Sequence, residues 1–234
     1  MPSMAIHRLS RAPKINYARA ALGVTVIASA LGAHATAASA DTTDPAAASA
    51  QAAVAPEAAT QARIPTETTV NVTAAQVLAM AKAQVGTSEN AYGGGTKFQK
   101  WYADSQRAAE TIARDGGSRQ DYINAPWCSM FVSWVGAETG ARPQVGWDAW
   151  TVAHAKWFAA NKRWGSEAKP GAVVFFSWSG SKNLGAIQHV GFVVKDNHDG
   201  TISTIEGNTG NGKVEERVRP KSQVVGYGYP QYAG

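Results

Sequence analysis

The chain holds one cysteine, Cys128, and a cysteine attacks as its thiolate, so its surroundings decide whether it reacts. Asn124-Ala125-Pro126 reads as a helix opening, which sets Cys128 in the first turn. There the unpaired N–H groups and the positive dipole end favour thiolate over thiol. Cys128 also sits beside, not within, the apolar stripe Trp127, Met130, Phe131, Trp134 and Val135, so it can reach the edge of the core. The other reading is a small buried hydrophobe, because free cysteine is among the most buried residue types. A lone cysteine excludes an intramolecular disulfide and leaves intermolecular pairing or a reactive thiol.

A nucleophilic thiol needs a base, usually histidine. Of five histidines, His7 and His34 lie in the first 40 residues, and His198 sits in the turn Asp196-Asn197-His198-Asp199-Gly200, where it is expected to be solvated. His154 falls mid-helix among small residues and reads as surface or half-buried. His189 differs: it lies in a strand, alternating with Gly191 and Val193. If the hairpin pairs Lys195 with Gly200, His189 faces Glu206 with side chains about 5 Å apart. A carboxylate there would orient the imidazole and stabilise its protonated form. Asn208, two residues on, would share the face. The same residues also fit an ordinary cross-strand His–Glu pair on a solvated sheet face.

The elements that must position these groups follow from pattern. Thr73-Ala74-Ala75-Gln76 fits a capping box, opening a helix to about Val85 with Gly86 as its stop. Tyr92–Gly95 is a loop, Lys97–Tyr102 begins a short helix, and residues 103–120 are polar without a usable period. The Cys128 helix closes at Gly140, and another runs from Thr151 to Ala160. After Lys169-Pro170-Gly171 the period changes, and strands are expected over Ala172–Trp178, Ile187–Lys195, Thr201–Glu206 and Val224–Tyr229. Helices followed by antiparallel strands argue for an α+β domain.

Charge must be read in two parts. The 234 residues carry a net charge of +5, but residues 1–40 hold Arg8, Arg11, Lys14 and Arg19 and no acid. That basic start, the apolar stretch Ala20–Ala33 and the small-residue site Ala38-Ser39-Ala40 read as a secretory signal peptide. The stretch is short of the ~20 residues that span a bilayer. Without it, 18 Lys+Arg face 17 Asp+Glu, so the pI of about 9.3 describes mainly the export signal, and a nucleic-acid partner is not expected. Residues 41–70, rich in Ala, Thr and Pro, read as a flexible linker, and 71–234 as one domain.

Pro126-Trp127-Cys128-Ser129-Met130-Phe131-Val132-Ser133-Trp134 closely resembles the nucleophile segment of CHAP domains, the cysteine, histidine-dependent amidohydrolases/peptidases. Lys169–Phe176 looks like their central strand, Gln188–Val193 like their histidine strand, and Ile205–Thr209 like their third-residue motif. The early Thr96–Phe98 and Trp101-Tyr102 add to a resemblance covering about residues 72–232. Four motifs in order are more specific than any one. The resemblance implies a papain-like fold, with helices packed on an antiparallel sheet. It also implies Cys128 as nucleophile, His189 as general base and acid, Glu206 as the orienting residue and Asn208 as a further polar residue of the site. The position of Ala172 often carries Asp in the family, and the stretch from Asp104 to Asp121 looks longer than usual.

No cofactor is expected. Calcium is the family's plausible metal, but between Thr87 and Asp104 only Glu89 and Asp104 itself offer carboxylates, too few for a cage of ~6–8 oxygens. One cysteine and scattered histidines lack zinc spacing. Among eight tryptophans, Trp127, Trp134 and Trp157 sit at core-like positions, and Trp178 is the candidate for substrate contact in the cleft. The expected protein is a secreted, wall-associated monomer, free of membrane after signal cleavage, that cuts an amide in peptidoglycan. The bond would be N-acetylmuramoyl-L-alanine or one in the stem peptide or cross-bridge. The alternatives are an extracellular peptidase or amidase on another substrate, and a non-catalytic domain that binds wall fragments or a partner.

Overall fold

The computed structural model describes residues 69–234. The expected signal peptide and residues 41–68 of the expected linker lie outside them. The order is α1 (Ala74–Lys82), α2 (Lys97–Asp104), α3 (Gln106–Asp115), α4 (Cys128–Glu138), α5 (Arg142–Val145) and α6 (Thr151–Ala160). The strands are β1 (Trp164–Gly165), β2 (Val173–Phe176), β3 (His189–Asp196), β4 (Thr201–Thr209), β5 (Lys213–Pro220) and β6 (Val224–Gly228). The strands form one antiparallel sheet in the order β1-β6-β2-β3-β4-β5. This is the expected α+β arrangement, helices first and a sheet after, consistent with a papain-like fold.

Local chemistry sets the helix starts. In α1 the Thr73 hydroxyl accepts from the Gln76 N–H at 3.3 Å, and the Gln76 carboxamide oxygen accepts from the Thr73 N–H at 2.8 Å. Thr96 and Gln99 repeat this box at α2. The first helix stops at Lys82, short of the expected Val85, because Gly86 takes a positive φ and its N–H turns away to the carbonyl of Val214. Residues 103–120, which offered no usable period, include a helix: Ser105 caps α3 by accepting from the Ala108 N–H. Only Ala108 and Thr111 of that helix are fully buried, so its apolar stripe is too thin to register as a period.

Helix α4 begins at Cys128, not at Asn124 as expected, with Trp127 as its N-cap and Pro126 outside it. The preceding residues are used elsewhere: a 3-10 turn spans Arg119–Ile123, and Gln99 holds the Ala125 carbonyl through its side-chain amide at 2.9 Å. Every residue from Cys128 to Gly136 is buried, so α4 is a central helix with no solvated face. Trp127 stacks on Phe98 with centroids 5.2 Å apart, worth about 0.5–1.5 kcal/mol beyond area burial. Its indole N–H donates to Glu89 at 2.9 Å, which occupies one of the two carboxylates considered for calcium.

Strand bounds shift by a few residues from expectation: β2 is Val173–Phe176 and β4 runs on to Thr209. β1 and β5 were not expected. β5 alternates charged residues with few apolar ones, because it is an outer strand with only Val214 buried. The sheet separates two clusters. Val173, Phe175, Val190, Phe192 and Ile205 face the helices, while Val174, Phe176, Val193 and Ile202 lie on the other face. Gly207 lets α4 approach β4 closely, since a Cβ there would come within 2.6–2.7 Å of Phe131 and Trp127. Among the described residues, no helix is long and apolar enough to cross a membrane.

Candidate active site

Cys128 is the first residue of α4, so its N–H has no intrahelical carbonyl to bind. The residue is only 4% exposed, at the margin of the main cluster. His189 opens β3 and is 5% exposed. Its Nε2 lies 2.9 Å from Glu206 Oε2, and Cys128 interacts with the same ring by hydrogen bonding and charge. With Nε2 on the carboxylate, Nδ1 is the nitrogen left to meet the thiol.

Glu206 contacts His189 by a different route from the expected one. The hairpin pairs Asp196 with Ile202 and Lys195 with Ser203, then shifts register so that Phe192 pairs with Ile205. Glu206 is therefore level with Gly191, two residues from the expected position opposite His189. An even offset keeps both side chains on one face, and they meet diagonally. Gly191 provides the room: a Cβ there would stand 2.7 Å from Glu206 Cγ.

Glu206 is fully buried and fully used. Its Oε1 accepts from Thr204 Oγ1 at 2.6 Å and Arg219 Nε at 2.9 Å, and its Oε2 accepts from Arg219 Nη2 at 2.6 Å as well as from His189. Burial alone would raise its pKa. The hydrogen bonds from His189, Arg219 and Thr204 outweigh that and lower it to about 2. For His189, burial pulls the imidazole pKa down, but hydrogen bonds to Cys128 and Glu206 and the charges of both lift it to about 9. Imidazolium is then the form present at neutral pH.

Asn208 has a left-handed backbone, φ 54°, in the stretch of β4 where pairing with β5 shifts register. Asparagine tolerates that conformation, which accounts for its position in the chain. No hydrogen bond joins its side chain to His189 or Glu206. Trp178, just past β2, does reach the group. Its ring is 5.3 Å from that of His189, tilted by 33°, and 41% of the residue is exposed. Its backbone N–H also donates to the Gln188 side-chain oxygen at 3.1 Å.

His154 is neither at the surface nor half-buried, the environments expected for it. It is 1% exposed, its Nε2 donates to the Val145 carbonyl at 2.8 Å, and its Nδ1 accepts from Ser129 Oγ at 2.9 Å. A carbonyl can only accept, which fixes this tautomer, and burial lowers the imidazole pKa. The small neighbours that suggested exposure instead allow α4 and α6 to come close. Ser133 continues the network through the Ser129 carbonyl and the backbone of Asp148, whose buried carboxylate takes Arg107 and Arg114 of α3. Through α3, the 103–121 segment thus braces the loop between α5 and α6. His154→Ala should lower stability by roughly 2–4 kcal/mol through cavity formation and lost partners. A shifted urea midpoint, with Cys128 still alkylated by iodoacetamide, would register it. His198 is solvated as expected, its side chain 87% exposed.

The sequence reading missed Arg219, Thr204 and Thr209. A signal existed: Glu215, Arg217 and Arg219 alternate along Lys213–Pro220, as an outer strand's charges do. Among the described residues no group of three or more His, Cys, Asp or Glu side chains is placed to hold a metal ion.

Two comparisons bear on this arrangement. Residues 120–208 match the family model described as CHAP domain, and hydrolysis of peptidoglycan by amidase or peptidase chemistry is that family's general activity. Cys128, His189 and Glu206 all fall within the matched stretch. No curated protein gave a significant match to the chain.

Proposed function

We propose that this protein, whose residues 120–208 match the CHAP domain model, is an exported cysteine hydrolase that cuts an amide bond of peptidoglycan, at the muramoyl–alanine link or within the peptides. The observation that carries this reading is the hydrogen-bonded order Cys128–His189–Glu206 at a helix start.

In this reading the Cys128 thiolate attacks the amide carbonyl, and the C–S bond forms as the π electrons move onto oxygen. The Cys128 N–H, free at the helix start, is a donor toward that oxyanion. The tetrahedral intermediate collapses, the C–N bond breaks, and His189 gives its Nδ1 proton to the leaving amine. Water then adds to the thioester, with neutral His189 taking its proton, and the acid leaves as the thiol is regenerated. Glu206 stays ionised throughout and holds Nε2–H. Asn208 keeps a place in the proposal as a polar group on the same strand, without a contact to the imidazole. Trp178 lines the open side of the site and is the proposed substrate contact.

Mass spectrometry of purified peptidoglycan incubated with the protein, with Cys128→Ala as control, tests the reading. Products from the wild type alone are expected, and their masses identify the amide. A folded protein with an alkylatable thiol that releases nothing from several wall types would refute the peptidoglycan substrate.

A further inference from the structure

The carboxylate of Glu206 is shared between two cations. His189 takes one oxygen, and Arg219, reaching in from β5, takes both: Nε donates to Oε1 at 2.9 Å and to Oε2 at 3.2 Å, and Nη2 donates to Oε2 at 2.6 Å. The fork is held in turn. Nη2 also donates to Thr209 Oγ1 at 2.9 Å, and the guanidinium lies 5.1 Å from the Trp178 ring centroid and 6.0 Å from that of Phe176. The Arg219 side chain is 15% exposed, enclosed by the same aromatic rings that touch His189.

Charge counting shows what this does. A thiolate, an imidazolium and a carboxylate together carry one net negative charge. Here that charge would be buried, since all three residues are at most 5% exposed, and an uncompensated buried charge is costly. Arg219 brings the total to zero. Thr204 from β4, Phe176 from β2 and Trp178 after it also face the cluster and are neutral. Glu215 of β5 stands opposite Glu206 in the ladder, but Arg217 pairs with it at 3.1 Å, so these two charges offset each other.

We propose that Arg219 is a positioning residue for the Cys128–His189 pair. Through Glu206 it fixes the imidazole, and it supplies the positive charge that lets a thiolate persist beside a buried carboxylate. This rests on the reading of Cys128, His189 and Glu206 as the reacting group. A simple structural tether between β4 and β5 would also make the fork, but it would not govern protons.

The test compares the whole protein with Arg219→Met and Arg219→Lys. Removing a positive charge makes every group in the cluster hold its proton more tightly. In Arg219→Met the acid limb of Cys128 alkylation by iodoacetamide should therefore move up by about one pH unit. Release of peptidoglycan fragments should fall about 10–100-fold, as for other loss of partners behind a site. Arg219→Lys keeps the charge but not the fork, so the limb should stay while release falls. A folded Arg219→Met with a wild-type limb overturns the proposal. Should that variant not fold, Arg219→Lys decides alone, and wild-type fragment release from it overturns the proposal. Alkylation needs no substrate, so the two readings separate: a shifted limb with no fragments from any variant upholds Arg219 and removes the peptidoglycan reading.

Discussion

Cys128→Ala and His189→Ala are each expected to cut fragment release by about 10³-fold or more, leaving circular dichroism and the unfolding midpoint close to wild type. The first removes the proposed nucleophile and, at a residue whose side chain is small, costs little packing. The second removes the proposed proton carrier, yet Glu206 keeps the Arg219 fork and Thr204, so no buried carboxylate is stranded. In the wild type, release should fall as the pH rises through about 9, where His189 loses the proton owed to the leaving amine. Steady-state rates across pH 5–10 measure both effects. His189→Ala with most of its activity, beside an inactive His154→Ala, would place the base on the wrong histidine.

Glu206→Ala should be the most damaging single change to the fold of the site. It leaves Arg219 and His189 facing a cavity with no counter-charge, and removing one partner of a buried pair costs about 3–5 kcal/mol. Glu206→Gln is expected to be milder. Its carboxamide oxygen can sit at the Oε2 position and accept from both His189 and Arg219 Nη2. The amide NH₂ at the Oε1 position can donate to Thr204 Oγ1 but faces the Arg219 Nε–H donor against donor, so that one bond is lost. The imidazole stays oriented but loses the charge that stabilises it, so release should drop about 10–100-fold. Denaturant titration and fragment release on the two variants separate stability from turnover. A Glu206→Ala protein as stable as wild type would contradict the buried-pair account.

The sequence carried the proposed reacting groups better than it carried their setting. Cys128 at a helix start and His189 and Glu206 on one sheet face were readable, because helix caps and strand alternation are local. The hairpin register was not, since an irregularity at Val193–Lys195 leaves no mark in alternation, yet an even slip preserved the face. Thr151–Ala160 was placed to the residue, but His154 within it was assigned to the wrong environment. Small neighbours mean an exposed position on a lone helix and a close approach between packed ones, and a single sequence does not distinguish these. α3 was missed because its purpose is electrostatic, carrying Arg107 and Arg114 to Asp148. Arg219 was missed because its partner lies across the outer strand pair, and pairing partners are a tertiary fact.

The single thiol also determines how the protein ages. A sulfenic acid formed on Cys128 would find no second cysteine in the chain to close a disulfide and halt further oxidation. Recovery therefore depends on small thiols or reductases from outside, and without them the ladder leads to irreversible sulfinic and sulfonic acids. The protection the chain itself provides is steric: Cys128 is only 4% exposed, with His189 against its side chain.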